Sequence, residues 1–163
     1  MEPRPASASR AQLIHWMSIE DANNAGFVHG GVVMKMCDEV AGLAALKHSR
    51  SRCVTAGMDR MTFLVPIQVG ELVTFSASVN AVWRTSMEVG VRVTAEHPRE
   101  GVAHQTNTAY LTMVAVDDAG RPAAVPPLLA ESPEERRRAQ EAELRRANRL
   151  AERDQIIAAR GGS

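Results

Sequence analysis

Aromatic side chains make up only 4% of this 163-residue chain. So few rings argue against a base-stacking platform for single-stranded nucleic acid. An excess of either charge is also missing. Lys+Arg and Asp+Glu stand at 19 each, which removes the bulk attraction that draws a basic protein to nucleic acid or to an anionic membrane. Cysteine is nearly absent, and the two present, Cys37 and Cys53, form neither a metal nor a redox motif. No apolar run approaches the roughly 18 residues of a membrane span. The N-terminal MEPRPASASRAQ lacks the apolar centre of a secretion signal. No internal repeat is evident. These absences predict a single cytoplasmic domain, with a chain long enough to bury a real core.

What is present is concentrated in residues 21–48, DANNAGFVHGGVVMKMCDEVAGLAALKH. The first third is polar and glycine-punctuated. Residues 32–48 contain no proline and predict one helix of about five turns. Val32, Val33, Met34, Met36, Val40, Leu43 and Leu46 make it apolar on most sides, as in a buried helix, yet Asp38-Glu39 sits in its middle. A carboxylate in a buried helix is costly unless it is paired or used. Lys35 offers both acids an ion partner. For Glu39 an ordinary solvated pair is expected; for Asp38, pairing and use both stay open.

The helix start carries a second signal. No Ser, Thr, Asp or Asn directly precedes it, so its first N–H groups have no expected side-chain cap. Gly30 and Gly31 leave the backbone open at the positive end of a helix, a setting that favours an oxyanion. Glycine pairs also mark plain turns, and His29 has a structural reading beside its functional one. Gly42 costs about 1 kcal/mol relative to Ala within a helix. Either a strand packed closely against it or a ligand would offset that cost.

Around this stretch the chain reads as follows. Residues 1–9, with Pro3 and Pro5 among Ala and Ser, predict a flexible arm. Residues 11–17 predict a short strand, and residues 53–63 a longer one stopped by Pro66. In residues 71–83, Val73, Phe75, Ala77 and Val79 alternate with Leu72, Thr74, Ser76 and Ser78. In residues 87–95, Met87, Val89, Val91 and Val93 alternate with Glu88, Gly90, Arg92 and Thr94. That period of two predicts sheet strands with one buried face, joined by a tight turn at residues 83–86. Residues 104–116 predict another long strand, its threonines suiting a sheet, closed by the turn signal DDAG. The expected order is strand, helix, then four strands in a meander: an α+β arrangement of one long helix against a curved antiparallel sheet. Residues 121–127 read as an extended linker. Ser132-Pro133-Glu134-Glu135 is a capping box opening a charged helix to about residue 159. Glu134–Arg138 and Glu141–Arg145 have favourable i,i+4 spacing. Few of that helix's residues are apolar, so it is expected to be mostly solvated, with docking on a subunit or phosphate contacts by its arginines as alternatives.

Taken together, DANNAGFVHGGVVMKMCDEVAG, RCVTAGMDRMTFLVPIQVGE, RTSMEV and DDAGRPAAVPPL resemble the hotdog-fold acyl-CoA thioesterases, the cytosolic (brain-type) acyl-CoA hydrolases in particular. The resemblance covers about residues 13–129 and extends to the charged tail. It implies a hotdog fold spanning residues 10–129, with residues 130–163 as a C-terminal charged helix. It also implies edge-to-edge dimers with active sites at the dimer interface, assembled as trimers of dimers. The family's helix carboxylate matches Asp38, and its loop asparagine, supplied by the facing protomer, matches Asn23, with Asn24 as its neighbour. Cys37 stands where an apolar residue is commoner, a harmless departure.

On that resemblance the thioester carbonyl is expected to accept hydrogen bonds from Gly31 and Gly30, one good donor contributing about 3–4 kcal/mol. Asp38 acts as general base on water or as a nucleophile giving a mixed anhydride, and Asn23 positions water or substrate. His29, Gly30, Thr55, Ala56, Arg84 and Ser86 are the expected contacts to substrate and CoA. Arg84 serves as a phosphate ligand, with a plain surface arginine as the other reading. No metal or organic cofactor is expected beyond the CoA of the substrate, and neither nucleic acid nor membrane is an expected partner. Three rivals stand beside the thioesterase: a hotdog hydratase using His29 with an acid, a non-catalytic acyl-CoA sensor, and a scaffold assembled through the C-terminal helix.

Overall fold

The computed structural model describes residues 1–161. A 20-residue helix, α1 (Gly30–Ser49), lies against a five-stranded antiparallel sheet, and a second helix, α2 (Pro133–Ala159), crosses the sheet's other face. The strands are β2 (Ala11–Trp16), β3 (Arg52–Met58), β4 (Leu72–Val82), β5 (Ser86–Glu96) and β6 (Ala103–Val116). A short parallel pair, β1 (Arg4–Pro5) and β7 (Leu128–Leu129), lies outside this sheet. The α+β hotdog architecture of a long helix wrapped by an antiparallel sheet, with a C-terminal helix, is therefore the one adopted.

The alternation in β4 and β5 does what period two predicts. Val73, Phe75, Ala77 and Val79 face inward with Met87, Val89, Val91 and Val93, and Leu111 and Met113 of β6 extend the same layer. Against it α1 lays Val33, Cys37, Val40, Ala41, Ala44 and Ala45, all buried. The alanines let the helix axis sit close to the sheet, so this small apolar side supplies the packing.

Four expectations need correction. The four strands after α1 do not form one meander. The sheet order is β2-β4-β5-β6-β3, so β3 skips over its successors to pair with β6 at the far edge. That strand also ends at Met58, earlier than the predicted residue 63. The arm is not loose: Ala6 and Ser9 are buried, and the Ser9 hydroxyl accepts the Val79 N–H at 2.9 Å. Finally, α2 is mostly solvated as expected, but one of its two expected ion pairs does not form and part of it docks on the sheet. Its Ala142 is fully buried, and Arg145 reaches Glu88 on β5, while Glu141 pairs with Arg137 instead of Arg145.

Glu88 holds its place on the outer face, as the alternation predicts, yet α2 leaves it 0% exposed. It accepts from Asn80 Nδ2 at 3.1 Å and from Arg145 through two bonds of 3.0 and 2.7 Å. Asn80 sits where the β4–β5 register shifts, and its Nδ2 lies 2.6 Å from where a Gly90 Cβ would stand. Only glycine admits that approach.

At the other end of α1, His48 is wholly buried, its Nε2 at 2.9 Å from the Pro126 carbonyl oxygen. Burial lowers its pKa below the ordinary 6.5, the Pro126 bond opposing and Arg4 assisting. The unfolded chain thus takes the proton first, and stability falls as pH drops below 6.5 towards the lowered folded value. The urea midpoint is expected to fall between pH 7 and pH 5, with a flatter profile in His48→Gln.

Candidate active site

The loop before α1 is built by its own polar side chains. Ser18 and Asp21 form a reciprocal capping box around a short 3-10 turn, Ile19–Asp21. His15 Nε2 lies 3.0 Å from Asp21 Oδ2. The Ser18 N–H, followed by His15, holds the Asp21 carboxyl below its ordinary value. The Asp21 carbonyl then accepts the His29 N–H at 2.7 Å, which sets where the helix begins. Asn23 is half-buried. Its Oδ1 accepts the N–H groups of Ala25 and Phe27, so one end of its amide shapes the loop and the NH₂ end is left for another partner.

The helix start differs from expectation. His29 is the N-cap: its Nδ1 accepts the Gly31 N–H at 2.9 Å. An accepting Nδ1 puts the proton of the neutral ring on Nε2. A histidine cap escaped the sequence reading because the usual caps are Ser, Thr, Asp and Asn. The Gly31 N–H is thus engaged in this state, whereas the Gly30 N–H has no hydrogen-bond partner among the described residues. The Phe63 ring lies over Gly30, 3.5 Å from where a Cβ would stand.

Asp38 is half-buried on the side of α1 that faces β3. Lys35 pairs with Glu39, at 3.9 Å, as expected for that acid. Asp38 instead receives the Thr55 hydroxyl on Oδ1 at 2.5 Å. Thr55 stands at the point where β3 shifts register against β6, and Ala56 occupies the bulge. Sequence reasoning placed Thr55 among CoA contacts and missed its bond to Asp38, a pairing that depends on β3 crossing to the far edge. One turn along, Gly42 has nothing among the described residues within 4 Å of a notional Cβ, so close strand packing is not its explanation. Met34 and Leu46 remain exposed on the same side of the helix, Leu43 is exposed further round it, and Val54 is exposed on β3.

Cys37, adjacent in sequence, is no competing nucleophile. Burial, then the neighbouring Asp38 charge, push its thiol up to about 12. Arg84 and Ser86 lie at the β4–β5 turn. Ser86 is in register with Val114, which pairs with Val54, so the turn sits at the sheet end where β3 begins, about 10 Å across two strand spacings. Arg84 is exposed and makes no ion pair among the described residues. A cavity of about 650 Å³ lies elsewhere, on the outer sheet face beside α2. Of its four arginines, Arg10, Arg137 and Arg138 are already paired with Glu135, Glu141 and Glu134. No helix among the described residues is long and apolar enough to cross a membrane.

The family profile described as the thioesterase superfamily matches residues 25–118, the span from the loop through β6. A cytosolic acyl coenzyme A thioester hydrolase of Rattus norvegicus is 35% identical over 93% of this chain. The match takes in 40% of that relative, so the chain spans well under half of its length. An apo-hexameric acyl-CoA thioesterase superposes with a TM-score of 0.89 at 36% identity, covering 93% of this chain and 97% of that one. An acyl-CoA hydrolase from Staphylococcus aureus, solved with butyryl-CoA and CoA, gives 0.84 at 30% identity over 96% and 98% of the two chains. That enzyme has also been solved as alanine variants of an asparagine, an aspartate and a threonine. Their mutual spacing along its chain equals that of Asn23, Asp38 and Thr55 here.

Proposed function

We propose that this chain, which belongs to the thioesterase superfamily, hydrolyses acyl-CoA thioesters to a carboxylic acid and CoA. The observation that carries this reading is the Asp38 carboxylate, freed of Lys35 and held by Thr55 on the open side of α1. Water and a thioester suffice for the reaction, so the reading calls for no metal or organic cofactor. The cytosolic relative supports a cytoplasmic location.

Asp38 serves as general base on water or as nucleophile. The Thr55 hydroxyl orients the reacting carboxylate through Oδ1 and leaves Oδ2 for water or the carbonyl carbon. Negative charge developing on the thioester oxygen is met at the N-terminus of α1, by the Gly30 N–H and by the Gly31 N–H once it exchanges its His29 acceptor for the oxyanion. His29, with its proton on Nε2, lies beside that oxygen, and Arg84 and Ser86 meet the CoA phosphates by charge and hydroxyl contact. Ala56, in the β3 bulge, lies along the pantetheine.

The site is shared between two copies. β3 is an edge strand whose outer side is unpaired among the described residues, and Val54 on it is 49% exposed. An exposed apolar edge of this kind is a template for pairing with a second copy. Met34 and Leu46 of α1, four and eight residues from Asp38, extend the apolar surface on that side. Pairing there covers this surface and brings the partner's loop towards Asp38, so that its asparagine, equivalent to Asn23, completes the site. Dimers then assemble as trimers; the hexameric relative supports that step. Co-refolding equal amounts of Asn23→Ala and Asp38→Asn chains tests the sharing. Half the dimers are mixed, and each mixed dimer keeps one intact site of two, so about a quarter of wild-type activity should return. Activity no greater than that of the two variants measured separately would show that each chain holds its own site.

A further inference from the structure

We infer that Arg149 of α2 is a positioning residue for this site, acting from the opposite face of the sheet by holding the end of β3 that carries Thr55. The inference rests on the thioesterase reading and adds a role for the C-terminal helix.

Thr55 stands on an edge strand of the sheet. Among the described residues β3 is bonded on one side only, to β6, and its register slips between Thr55 and Gly57. A bulge at a sheet edge re-aims a side chain but leaves it short of ladder bonds to fix it. Beyond Met58 the chain leaves the sheet and runs to Phe63, whose ring covers Gly30 at the start of α1. Asp59 is the first residue past the strand, and three contacts converge on it. Its N–H donates to the Tyr110 carbonyl at 2.9 Å. Its two carboxylate oxygens accept from Arg149 Nη1 at 3.1 and 2.8 Å.

Arg149 is itself seated. It lies 3.7 Å from the wholly buried Glu88, and one turn earlier on the same helix face Arg145 binds Glu88 by two bonds. The Arg145 guanidinium also stacks 3.6 Å above the ring of Tyr110, the residue whose carbonyl holds Asp59. Glu88, Arg145, Arg149, Tyr110 and Asp59 thus form a clamp anchored on central β5. It grips β3 four residues beyond Thr55. An isolated exposed pair would be too weak for this task, whereas this pair is mostly buried and belongs to a network. Loosening the clamp lets the bulged strand shift and moves the Thr55 hydroxyl off Asp38, and small misplacements of reacting groups are costly.

A double-mutant cycle on acyl-CoA hydrolysis tests this, using Arg149→Met, Thr55→Val and the combination. Arg149→Met is expected to lower kcat about tenfold with KM nearly unchanged, and Arg149→Lys to recover part of the loss. In the Thr55→Val background Arg149→Met should cost little more, because its effect passes through Thr55. Amide exchange across Arg52–Met58 should speed up in Arg149→Met. Asp59→Asn, which keeps Arg149 beside Glu88, should reproduce the kcat loss and carries the test if Arg149→Met fails to fold. Fully additive losses, or an unchanged kcat in both Arg149→Met and Asp59→Asn, would overturn the inference while leaving the thioesterase reading intact. A wild-type protein that releases no thiol would remove the reading on which it rests.

Discussion

Asp38→Asn is expected to lower kcat for acyl-CoA hydrolysis by about 10²–10⁴-fold, the range spanned by a positioned general base. Acyl-CoA binding should be little changed. The substitution is nearly isosteric, and the amide oxygen can still accept the Thr55 hydroxyl that reaches Oδ1 in the wild type. What disappears is the charge and basicity of the second oxygen, the one free to take a proton from water or to attack the carbonyl. The thermal midpoint should move little, because Lys35 is paired with Glu39 and loses no partner. Titration calorimetry with acyl-CoA separates the two effects: retained affinity with lost turnover places Asp38 in the chemistry. A variant keeping a tenth or more of wild-type kcat would assign Asp38 to binding or structure instead.

The second large effect lies in stability. Arg145→Met should destabilise the fold by about 3 kcal/mol, because it removes the bidentate partner of a carboxylate that is 0% exposed. Asn80 and the more distant Arg149 remain near Glu88 and keep the loss at the low end of the usual range. For a chain of this length that corresponds to a fall in Tm on the order of 10 °C. Adding Glu88→Gln to Arg145→Met should recover most of it, since a neutral amide needs no counter-charge and still accepts from Asn80. Calorimetry of the three proteins checks the asymmetry. If the single and double variants melt together, the buried charge is not what makes Arg145 necessary.

Much of this fold was legible because local pattern and final packing agree. The alternation in residues 71–95 names the inward faces of β4 and β5 residue by residue, and Ser132 with Glu135 closes the capping box that opens α2. Misreadings arose where a long-range contact decides the outcome. Nothing near residues 52–58 signals that the strand crosses to the far edge, and Thr55 meets Asp38 only after that crossing. Glu88 reads as a solvent-facing residue of an alternating strand until α2 is laid over it. The signal for that covering was the pair Arg145 and Arg149, one turn apart on a helix with few apolar residues. In the candidate site, Asp38 stood out as a carboxylate within an apolar helix and Asn23 through motif resemblance. The His29 cap and the use of Asn23 Oδ1 inside its own loop are local hydrogen-bond choices that residue type alone leaves open.

The measurement bearing most directly on the account is release of free CoA thiol by the wild-type protein from acyl-CoAs of increasing chain length, run beside a hydration assay on a 2-enoyl-CoA. The account predicts catalytic thiol release with at least one chain length and no addition of water to the double bond. Binding without release at any length, or hydration in place of release, would contradict it and turn attention to a sensor or to a hydratase built on His29.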